Sequence, residues 1–347
     1  MSALEVQPGI LDIAAYVPGR DKADGGTRVV RLASNETPLG TSPRAVEAYR
    51  RCADRLFRYP DGGAGALREA IGAHHGLDPA RIVCGNGSDD LLNLLATAYS
   101  GPGDEVMFSE HAFAIYRIVA QTSGATPVAV PETALRADVE AMVARAGPNT
   151  RICYLANPNN PTGTYLPAAA LARLRAGLPE SCLLVIDAAY AEYMRQDDYT
   201  DGATLVDTHD NVVMTRSFSK IYGLSALRLG WLYAPPAVAD VLNRIRMPFN
   251  VNHPAQAAGV AALEDTAHIA RAVAHNERWR PWLEREMAGL GLEVHPSAAN
   301  FVLPEFPEAE GRDAAAAYAF LLARGIIPRS LASYGLPRCL RFSIGLA

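Results

Sequence analysis

Short apolar runs that alternate with helical stretches constrain the fold of this chain more than any other feature of its sequence. Three runs rich in β-branched residues, as strands buried on both faces are, lie at 151–156, 183–186 and 212–214. Further strands are expected at 81–84, 105–108 and 126–129, and helices at 42–55, 67–75, 89–98 and 112–123. This alternation predicts an α/β fold, with helices on both faces of a mainly parallel sheet.

The pattern changes after about residue 255. Helical stretches are expected at 254–264 and 267–289, then a strand at 300–303, a helix at 312–323 and a final strand at 340–344. A chain of 347 residues is long enough for two domains. We therefore predict a Pro/Gly-punctuated arm at 1–30, a large α/β domain at 31–255 and a smaller α+β domain at 256–347.

Composition narrows the class of protein. The formal net charge is −5 and no basic stripe is visible, which argues against a nucleic-acid partner. No signal peptide or membrane span is visible, and the eight histidines lack ligand spacing, so we predict no metal and no membrane partner. A cytoplasmic protein with reduced thiols is expected, because no CxxC spacing occurs among Cys52, Cys84, Cys153, Cys182 and Cys339.

The motif SFSK, which follows the apolar run at 212–214, is the first chemical signal. It places the Lys220 amine after two hydroxyls, Ser217 and Ser219, and Arg228 follows eight residues later. An amine can form a Schiff base with a carbonyl, while hydroxyls and a guanidinium can hold a phosphate. Pyridoxal 5′-phosphate has both an aldehyde and a phosphate. For the motif alone, a surface lysine in a serine-rich loop is the alternative.

The motif GNGSD lies between the strand at 81–84 and the helix that follows. Its glycines permit a tight turn, and the helix N-terminus offers free N–H groups to an anion. Gly87, Ser88 and Asp89 are therefore candidates for binding the phosphate. An ordinary turn with a helix cap is the alternative.

Two polar residues follow the strand at 183–186. Asp187 stands at the strand end, where open α/β sheets bind ligands, and a carboxylate there could keep a pyridine nitrogen protonated. Tyr190, three residues later, could hydrogen-bond the ring hydroxyl. A helix cap and a half-buried tyrosine are the alternatives.

Four more residues are candidates for contacts to the cofactor or substrate. Asn160, in the rigid turn NPNNPTG, could present its amide to the ring oxygen, and Phe113 could stack on the ring. Arg329 and Arg341 could each grip a carboxylate or phosphate with two parallel hydrogen bonds. A plain turn, a core aromatic and a solvent-facing arginine are the alternatives.

Six motifs in one order resemble the fold-type I, pyridoxal 5′-phosphate-dependent enzymes of the class I/II aminotransferase group. They are GNGSD, NPNNPTG, DAAY, SFSK, RLGW and LRFSIG, and they span nearly the whole chain. Within that group the chain looks most like the histidinol-phosphate aminotransferase family, through YVPG at 16–19, ASNETPLG at 33–40 and RYPDGG at 58–63.

The resemblance implies roles for these residues. Lys220 binds the cofactor aldehyde and shuttles the proton, with Asp187 and Tyr190 as its catalytic partners. The remaining cofactor contacts implied are Gly87, Ser88, Asp89, Phe113, Asn160, Ser217, Ser219 and Arg228, and the substrate contacts are Tyr16, Asn35, Arg329 and Arg341. A homodimer is implied too, in which Tyr59 reaches the partner's cofactor phosphate and Tyr16 lines the partner's substrate pocket.

The implied reaction is amino transfer between L-histidinol phosphate and 2-oxoglutarate, giving imidazole-acetol phosphate and L-glutamate, in histidine biosynthesis. Three alternatives stay open: an aromatic or broad-specificity aminotransferase, a decarboxylase of a phosphorylated amino acid, and a non-enzymatic sensor on the same fold. The chain departs from the family pattern in DAAY for DEAY, Phe113 for tyrosine and Thr37 for asparagine. Relatives also continue with another helix, so the full protein is expected to extend beyond Ala347.

Overall fold

The computed structural model describes residues 6–25 and 28–346 of the chain. The strands in these residues are β1 Val30–Arg31, β2 Ile82–Gly85, β3 Glu105–Ser109, β4 Thr126–Val130, β5 Glu132–Thr133, β6 Arg136–Ala137, β7 Thr150–Ala156, β8 Leu183–Asp187, β9 Val212–Ser217, β10 Gly230–Tyr233, β11 Glu293–His295, β12 Phe301–Glu305, β13 Ile326–Ile327, β14 Arg329–Ser330 and β15 Leu340–Ser343. The α-helices are α1 Pro43–Arg50, α2 Gly65–His75, α3 Ser88–Tyr99, α4 Ile115–Thr122, α5 Val139–Arg145, α6 Ala168–Gly177, α7 Ala203–Thr208, α8 Pro236–Ile245, α9 His253–Glu264, α10 Thr266–Gly289 and α11 Ala314–Leu322.

Seven of these strands form the large sheet, in the order β2-β10-β9-β8-β7-β3-β4. Neighbouring strands are parallel from β9 to β4, whereas β10 runs antiparallel to both β9 and β2. The prediction of a mainly parallel sheet in an α/β fold is confirmed.

Both faces of this sheet are buried, because apolar side chains alternate between two cores. Along β8, Leu183 and Val185 belong to one core, whereas Leu184 and Ile186 belong to the other. Helices cover each face, so the central strands need no polar side. Polar residues in these strands are thereby displaced to the strand ends, where the candidate site residues lie.

A second, four-stranded sheet has the order β11-β12-β15-β14 and carries both candidate arginines of the C-terminal region. Arg329 of β14 pairs in register with Arg341 of β15, so the two guanidinium groups start from neighbouring positions. The short strand β1 pairs in parallel with β13, which ties the segment before residue 33 to this part of the chain.

Several elements differ from the sequence-based expectation. Strand β10 and helices α5 to α8 lie outside the predicted elements, and the helix expected at 42–55 ends at Arg50, with a separate 3-10 turn at Ala53–Arg55. The helix expected from residue 112 begins at Ile115, which leaves Phe113 in the loop before it. Of the predicted arm, residues 1–5 and 26–27 lie outside the described residues.

Candidate active site

The candidate residues meet at one edge of the large sheet because the strand register aligns the ends of their strands. Asp187, at the end of β8, lies beside Thr215 of β9. Since β10 is antiparallel, its first residue, Gly230, reaches the same edge and pairs with both Gly85 and Ser217. This is the carboxyl edge of the parallel strands, where open α/β sheets bind ligands.

A cavity of about 270 Å³ opens at this edge. Every residue that the sequence assigned to the site lines it, except Gly87 and Tyr59. The predicted constellation therefore comes together in one place, although its members are spread from residue 16 to residue 341.

Gly87 closes the turn between β2 and α3. Its φ of 83° favours glycine, and a Cβ there would lie 2.6 Å from the Nη2 atom of Arg228. A Cβ on Gly230 would collide with the backbone nitrogen of Ser88, the first residue of α3. Two glycines thus let the N-terminus of a twelve-residue helix sit against β10 and the Arg228 guanidinium.

Arg228 holds this corner of the cavity through both terminal nitrogens. Its Nη1 donates to Ser219 Oγ at 3.3 Å, and its Nη2 to Asp89 Oδ2 at 3.2 Å. Ser219 N–H donates in turn to Ser217 Oγ at 3.0 Å. A guanidinium, serine hydroxyls and a helix N-terminus are the donors that bind a phosphate.

Asp187 is buried, with 5% of its surface exposed, and its side chain accepts two hydrogen bonds. Tyr116 Oη donates to Oδ2 at 2.8 Å and Thr215 Oγ1 to Oδ1 at 3.2 Å. Burial raises the pKa of Asp187 to about 6, against an ordinary 3.8, and these hydrogen bonds only partly offset the shift. A buried carboxylate with no described cation bonded to it fits a protonated ring nitrogen.

Lys220 and Tyr190 face each other across the cavity. The Lys220 Nζ atom lies 5.7 Å from the centre of the Tyr190 ring, and it donates to the backbone oxygen of Ser34 at 3.4 Å. Tyr190 is buried and its hydroxyl accepts from Asn35 Nδ2 at 2.8 Å. The chain contains only two lysines, Lys22 and Lys220, so a single amine of this type is placed in the cavity.

Phe113 and Asn160 line the cavity from two loops. The Phe113 ring is half-buried and makes an edge contact with Tyr116, at 6.0 Å between ring centres, next to the Asp187 carboxylate. Asn160 Oδ1 accepts a hydrogen bond from Arg341 Nη1. Asn160 is thereby linked to the arginine at the wall of the cavity.

Both arginines of the C-terminal sheet are buried in the cavity wall, not solvent-facing. Arg341 is 5% exposed, its Nη2 donates to the Ala33 carbonyl oxygen at 2.5 Å, and its Nε lacks a hydrogen-bond partner in the described residues. Burial lowers the pKa of Arg341, because no carboxylate offsets the loss of water. Arg329 is 9% exposed. Two buried guanidinium groups in its wall thus favour the binding of an anion in the cavity.

The two tyrosines for which the resemblance implies contacts with a partner, Tyr16 and Tyr59, lie in different surroundings. Tyr16 lines the cavity of its own chain, 6.0 Å from the Arg329 guanidinium, and its implied place in the partner's substrate pocket stays a prediction. The arm folds back in this way because Arg329 Nη2 donates to the Val17 oxygen at 2.8 Å. Tyr59 lies outside the cavity, 82% exposed, and stacks on Phe249 with ring centres 4.6 Å apart.

Sequence reasoning missed some residues of the site. Tyr334 lines the cavity, and Tyr116 and Thr215 hold the Asp187 carboxylate. Thr215 carries a usable signal, since it precedes Ser217 by two residues and therefore points to the same side of β9. Tyr116 carries none, because it reads as an ordinary core residue of a helix.

One group of possible metal ligands lies away from the cavity. The ligand atoms of His295, Glu305 and Cys339 all lie within 4.8 Å of one another, a proximity that histidine spacing did not predict. The Glu305 oxygens are already paired, with His295 at 2.9 Å and Arg338 at 2.7 Å. Burial raises the pKa of the Cys339 thiol to about 12, which favours the neutral thiol over the thiolate that binds metals.

None of the helices in the described residues has the length and apolarity needed to cross a membrane.

The cavity fits the cofactor that the sequence predicts. The donors around Arg228 suit its phosphate, the buried Asp187 suits its ring nitrogen, and the Lys220 amine suits its aldehyde. The fit rests on a buried carboxylate whose pKa is raised and on glycines that leave room at the helix N-terminus.

Comparison with known proteins agrees with this arrangement. The sequence model of the family "Aminotransferase class I and II" matches residues 27–347. A histidinol-phosphate aminotransferase of Rhodospirillum centenum is 60% identical over 346 residues, covering 100% of this chain and 95% of that protein. The corresponding protein of Paramagnetospirillum magneticum is 55% identical over 345 residues, covering 99% and 95%.

A solved structure gives the same answer for the fold. The crystal structure of histidinol-phosphate aminotransferase from Sinorhizobium meliloti, in complex with pyridoxal 5′-phosphate, is 30% identical, with a TM-score of 0.87. The match covers 99% of this chain and 94% of that one. The chain therefore belongs to the class I and II aminotransferases and, among them, to the histidinol-phosphate aminotransferase family.

Proposed function

We propose that this protein transfers an amino group between L-histidinol phosphate and 2-oxoglutarate, as a step of histidine biosynthesis. The observation on which this rests is the 60% identity to a histidinol-phosphate aminotransferase over the whole chain. The cavity supports it, because an amine, a buried carboxylate and two buried guanidinium groups line it together.

The cofactor is pyridoxal 5′-phosphate, and the residues of one sheet edge would hold it. Its phosphate would lie among Ser88, Ser217, Ser219 and Arg228, and its ring nitrogen would lie against Asp187. When bound, it supplies an electron sink that makes a hydrogen on the substrate α-carbon acidic. The buried Asp187 carboxylate keeps its negative charge most easily beside a cation, so it favours the protonated ring nitrogen.

Lys220 is the group that moves protons in this cavity. Its Nζ atom lies beside the Tyr190 ring and bonds only weakly to the Ser34 oxygen, at 3.4 Å, so it is free to turn. A flexible primary amine can act both as a nucleophile and as a general base. Tyr190 fixes one wall of the space in which the amine turns.

Arg329 and Arg341 bind the anionic end of each substrate. Glutamate presents carboxylates and histidinol phosphate presents a phosphate, and a guanidinium can grip either one through two parallel hydrogen bonds. The two arginines pair in register on β14 and β15, so both charges serve the same end of the cavity. Burial excludes water from this end and strengthens the pairing.

We also propose that the active unit is a homodimer. Tyr59 is exposed beside Phe249, and further apolar side chains, Leu56, Phe57 and Met247, are exposed at 68%, 78% and 75%. Such a group of exposed apolar side chains is typical of a protein interface. A second copy that covered it would allow the partner's Tyr59 to complete the phosphate site.

The domain division at 1–30, 31–255 and 256–347 and a cytoplasmic location remain proposals. The two sheets, within residues 82–233 and 293–343, support two domains, although α9 crosses residue 255 and packs on α1 and α2. All five cysteines are buried and unpaired, as is usual in a reducing compartment.

The test is a single-turnover titration of the purified protein, followed by the visible absorbance of the lysine-bound cofactor. Glutamate is expected to bleach this absorbance, and imidazole-acetol phosphate to restore it, whereas phenylpyruvate does not. Recovery with phenylpyruvate alone would assign the protein to aromatic amino acid metabolism. Carbon dioxide release from a phosphorylated amino acid would instead indicate a decarboxylase.

A further inference from the structure

Asn35 is a buried polar residue at the junction between the two parts of the site. Only 1% of it is exposed, and its backbone has a φ of 55°, in the left-handed region that few residues other than glycine and asparagine adopt. Its backbone N–H donates to Ser343 Oγ at 2.9 Å, and its backbone oxygen accepts from Asn300 Nδ2 at 2.9 Å. Two residues of the C-terminal sheet region therefore hold the backbone of Asn35 in this conformation.

The side chain of Asn35 is also hydrogen-bonded. Its Nδ2 donates to the Tyr190 hydroxyl at 2.8 Å, and its Oδ1 accepts from Ser343 Oγ at 3.2 Å. The sequence predicted that Asn35 would contact the substrate. That contact stays a prediction; among the described residues, the Asn35 amide is directed at a catalytic tyrosine.

The contact with Asn35 determines what the Tyr190 hydroxyl can do. A phenol has one hydrogen to donate and lone pairs with which to accept. Because the Asn35 amide occupies a lone pair of the oxygen, the hydrogen is left free to donate into the cavity. The ring itself is fixed by an edge contact with Phe301, at 5.6 Å between ring centres.

The two residues before Asn35 contact other groups of the same site. The Ala33 oxygen accepts from Arg341 Nη2 at 2.5 Å, and the Ser34 oxygen accepts from Lys220 Nζ at 3.4 Å. Three consecutive residues thus contact the anion-binding arginine, the amine and the tyrosine. Asn35 is the one of the three that does so through its side chain, so a substitution there leaves the other two contacts in place.

We propose that Asn35 is a positioning residue, whose amide sets the direction in which the Tyr190 hydroxyl donates its hydrogen, toward the ring oxygen of the cofactor. This inference rests on the proposed function, since it assigns a role within that site. The amide acts through Tyr190 and does not bind the substrate.

The main test is Asn35→Asp, which keeps the shape of the side chain but removes its donor. A carboxylate can only accept, so the Tyr190 hydrogen turns away from the cavity and toward the new side chain. We expect the pH midpoint of the visible absorbance of the loaded protein to shift by about one unit, toward the value in Tyr190→Phe. The control is Asn211→Asp, which likewise removes an amide donor, here to the Glu180 oxygen. Asn211 directly precedes β9 and therefore lies at the end of that strand away from Ser217 and the cavity.

The double variant of Asn35→Asp with Tyr190→Phe separates positioning from the effect of the added charge. If Asn35 acts through Tyr190, then Asn35→Asp shifts the midpoint much less when the hydroxyl is already absent. An equal shift in both backgrounds would overturn the proposal, because a carboxylate acting by charge alone does not need the hydroxyl. A raised KM for one substrate with no shift of the midpoint would also overturn it, in favour of a substrate contact.

A second variant covers the case in which the aspartate protein does not fold. Asn35→Gly suits the positive φ and deletes the amide. In the cofactor-free protein, Asn35→Gly and Tyr190→Phe should destabilise non-additively, because they share one hydrogen bond, and additive effects would contradict the proposal. This readout needs no substrate. It therefore stands even if the titration with imidazole-acetol phosphate rejects the proposed function.

Discussion

Asp187→Asn is predicted to stabilise the cofactor-free protein at neutral pH while weakening its hold on the cofactor. The pKa of Asp187 is raised from 3.8 to about 6 in the folded chain, because burial disfavours the charged carboxylate. A raised pKa means that proton binding stabilises the fold below pH 4 and that this stabilisation is lost as the pH rises through 6. A shift of about two units corresponds to about 3 kcal/mol at pH 7 and above. Asparagine keeps an acceptor for Tyr116 or Thr215 and avoids this cost.

The assay is urea unfolding of the cofactor-free protein between pH 5 and 8. The stability of Asp187→Asn relative to the natural protein should rise with pH, by at most about 1.4 kcal/mol per unit, and then level off. Asp210→Asn, at an exposed residue, is the control and should show no such rise. A constant difference across this range would refute the reasoning, because the effect would then not come from ionisation. With cofactor bound, the order is expected to reverse, since the ring nitrogen loses its carboxylate.

Three further variants test other parts of the site and fold. Lys220→Ala should fold normally and lose turnover. In the natural protein loaded with cofactor, borohydride reduction should label Lys220 and leave Lys22, the only other lysine, unlabelled. Arg341→Ala should weaken both half-reactions by about 1.5–3 kcal/mol in kcat/KM, because each substrate loses a charged hydrogen bond; loss with one substrate alone would contradict this. Arg216→Met should lower the free energy of unfolding by about 3–5 kcal/mol, because it leaves two carboxylates unpaired near its buried position. Breaking the exposed ion pair of Arg145 should lower it by less than about 1 kcal/mol. Equal losses in denaturant titrations of the two variants would disprove this distinction between buried and exposed pairs.

The parts of the fold that could be predicted from the sequence are those with a local signal. Short runs of β-branched residues indicate the central strands β7, β8 and β9, and polar residues that follow these runs reach the cavity. Asp187 and Lys220 were found in this way. Strand β10 was not predicted. Its four residues begin with Gly230, and they form a strand because they pair antiparallel with β9 and β2, which lie elsewhere in the sequence.

The partners of the site residues could not be predicted, because they depend on contacts between distant parts of the chain. Tyr116 lies 71 residues from Asp187, and Asn35 lies 155 residues from Tyr190. No local pattern indicates that a helical tyrosine will bind a carboxylate at the end of another strand. The resemblance to a family named residues that, apart from Gly87 and Tyr59, line one cavity, but it did not show which of them contact each other.

The cavity concentrates features that are unfavourable for an empty protein. Asp187 is a buried carboxylate with a raised pKa, and Arg341 is a buried guanidinium with an unpartnered Nε in the described chain. Asn35 and Arg228 are non-glycine residues at positive φ. A cation at the carboxylate and an anion at the guanidinium would relieve the first two costs, so a ligand gains binding energy from strain that the fold already bears. Because a ligand that binds only the folded state stabilises that state by an amount that grows with its concentration relative to its Kd, these two costs should fall on the cofactor-free protein and largely disappear from the loaded one.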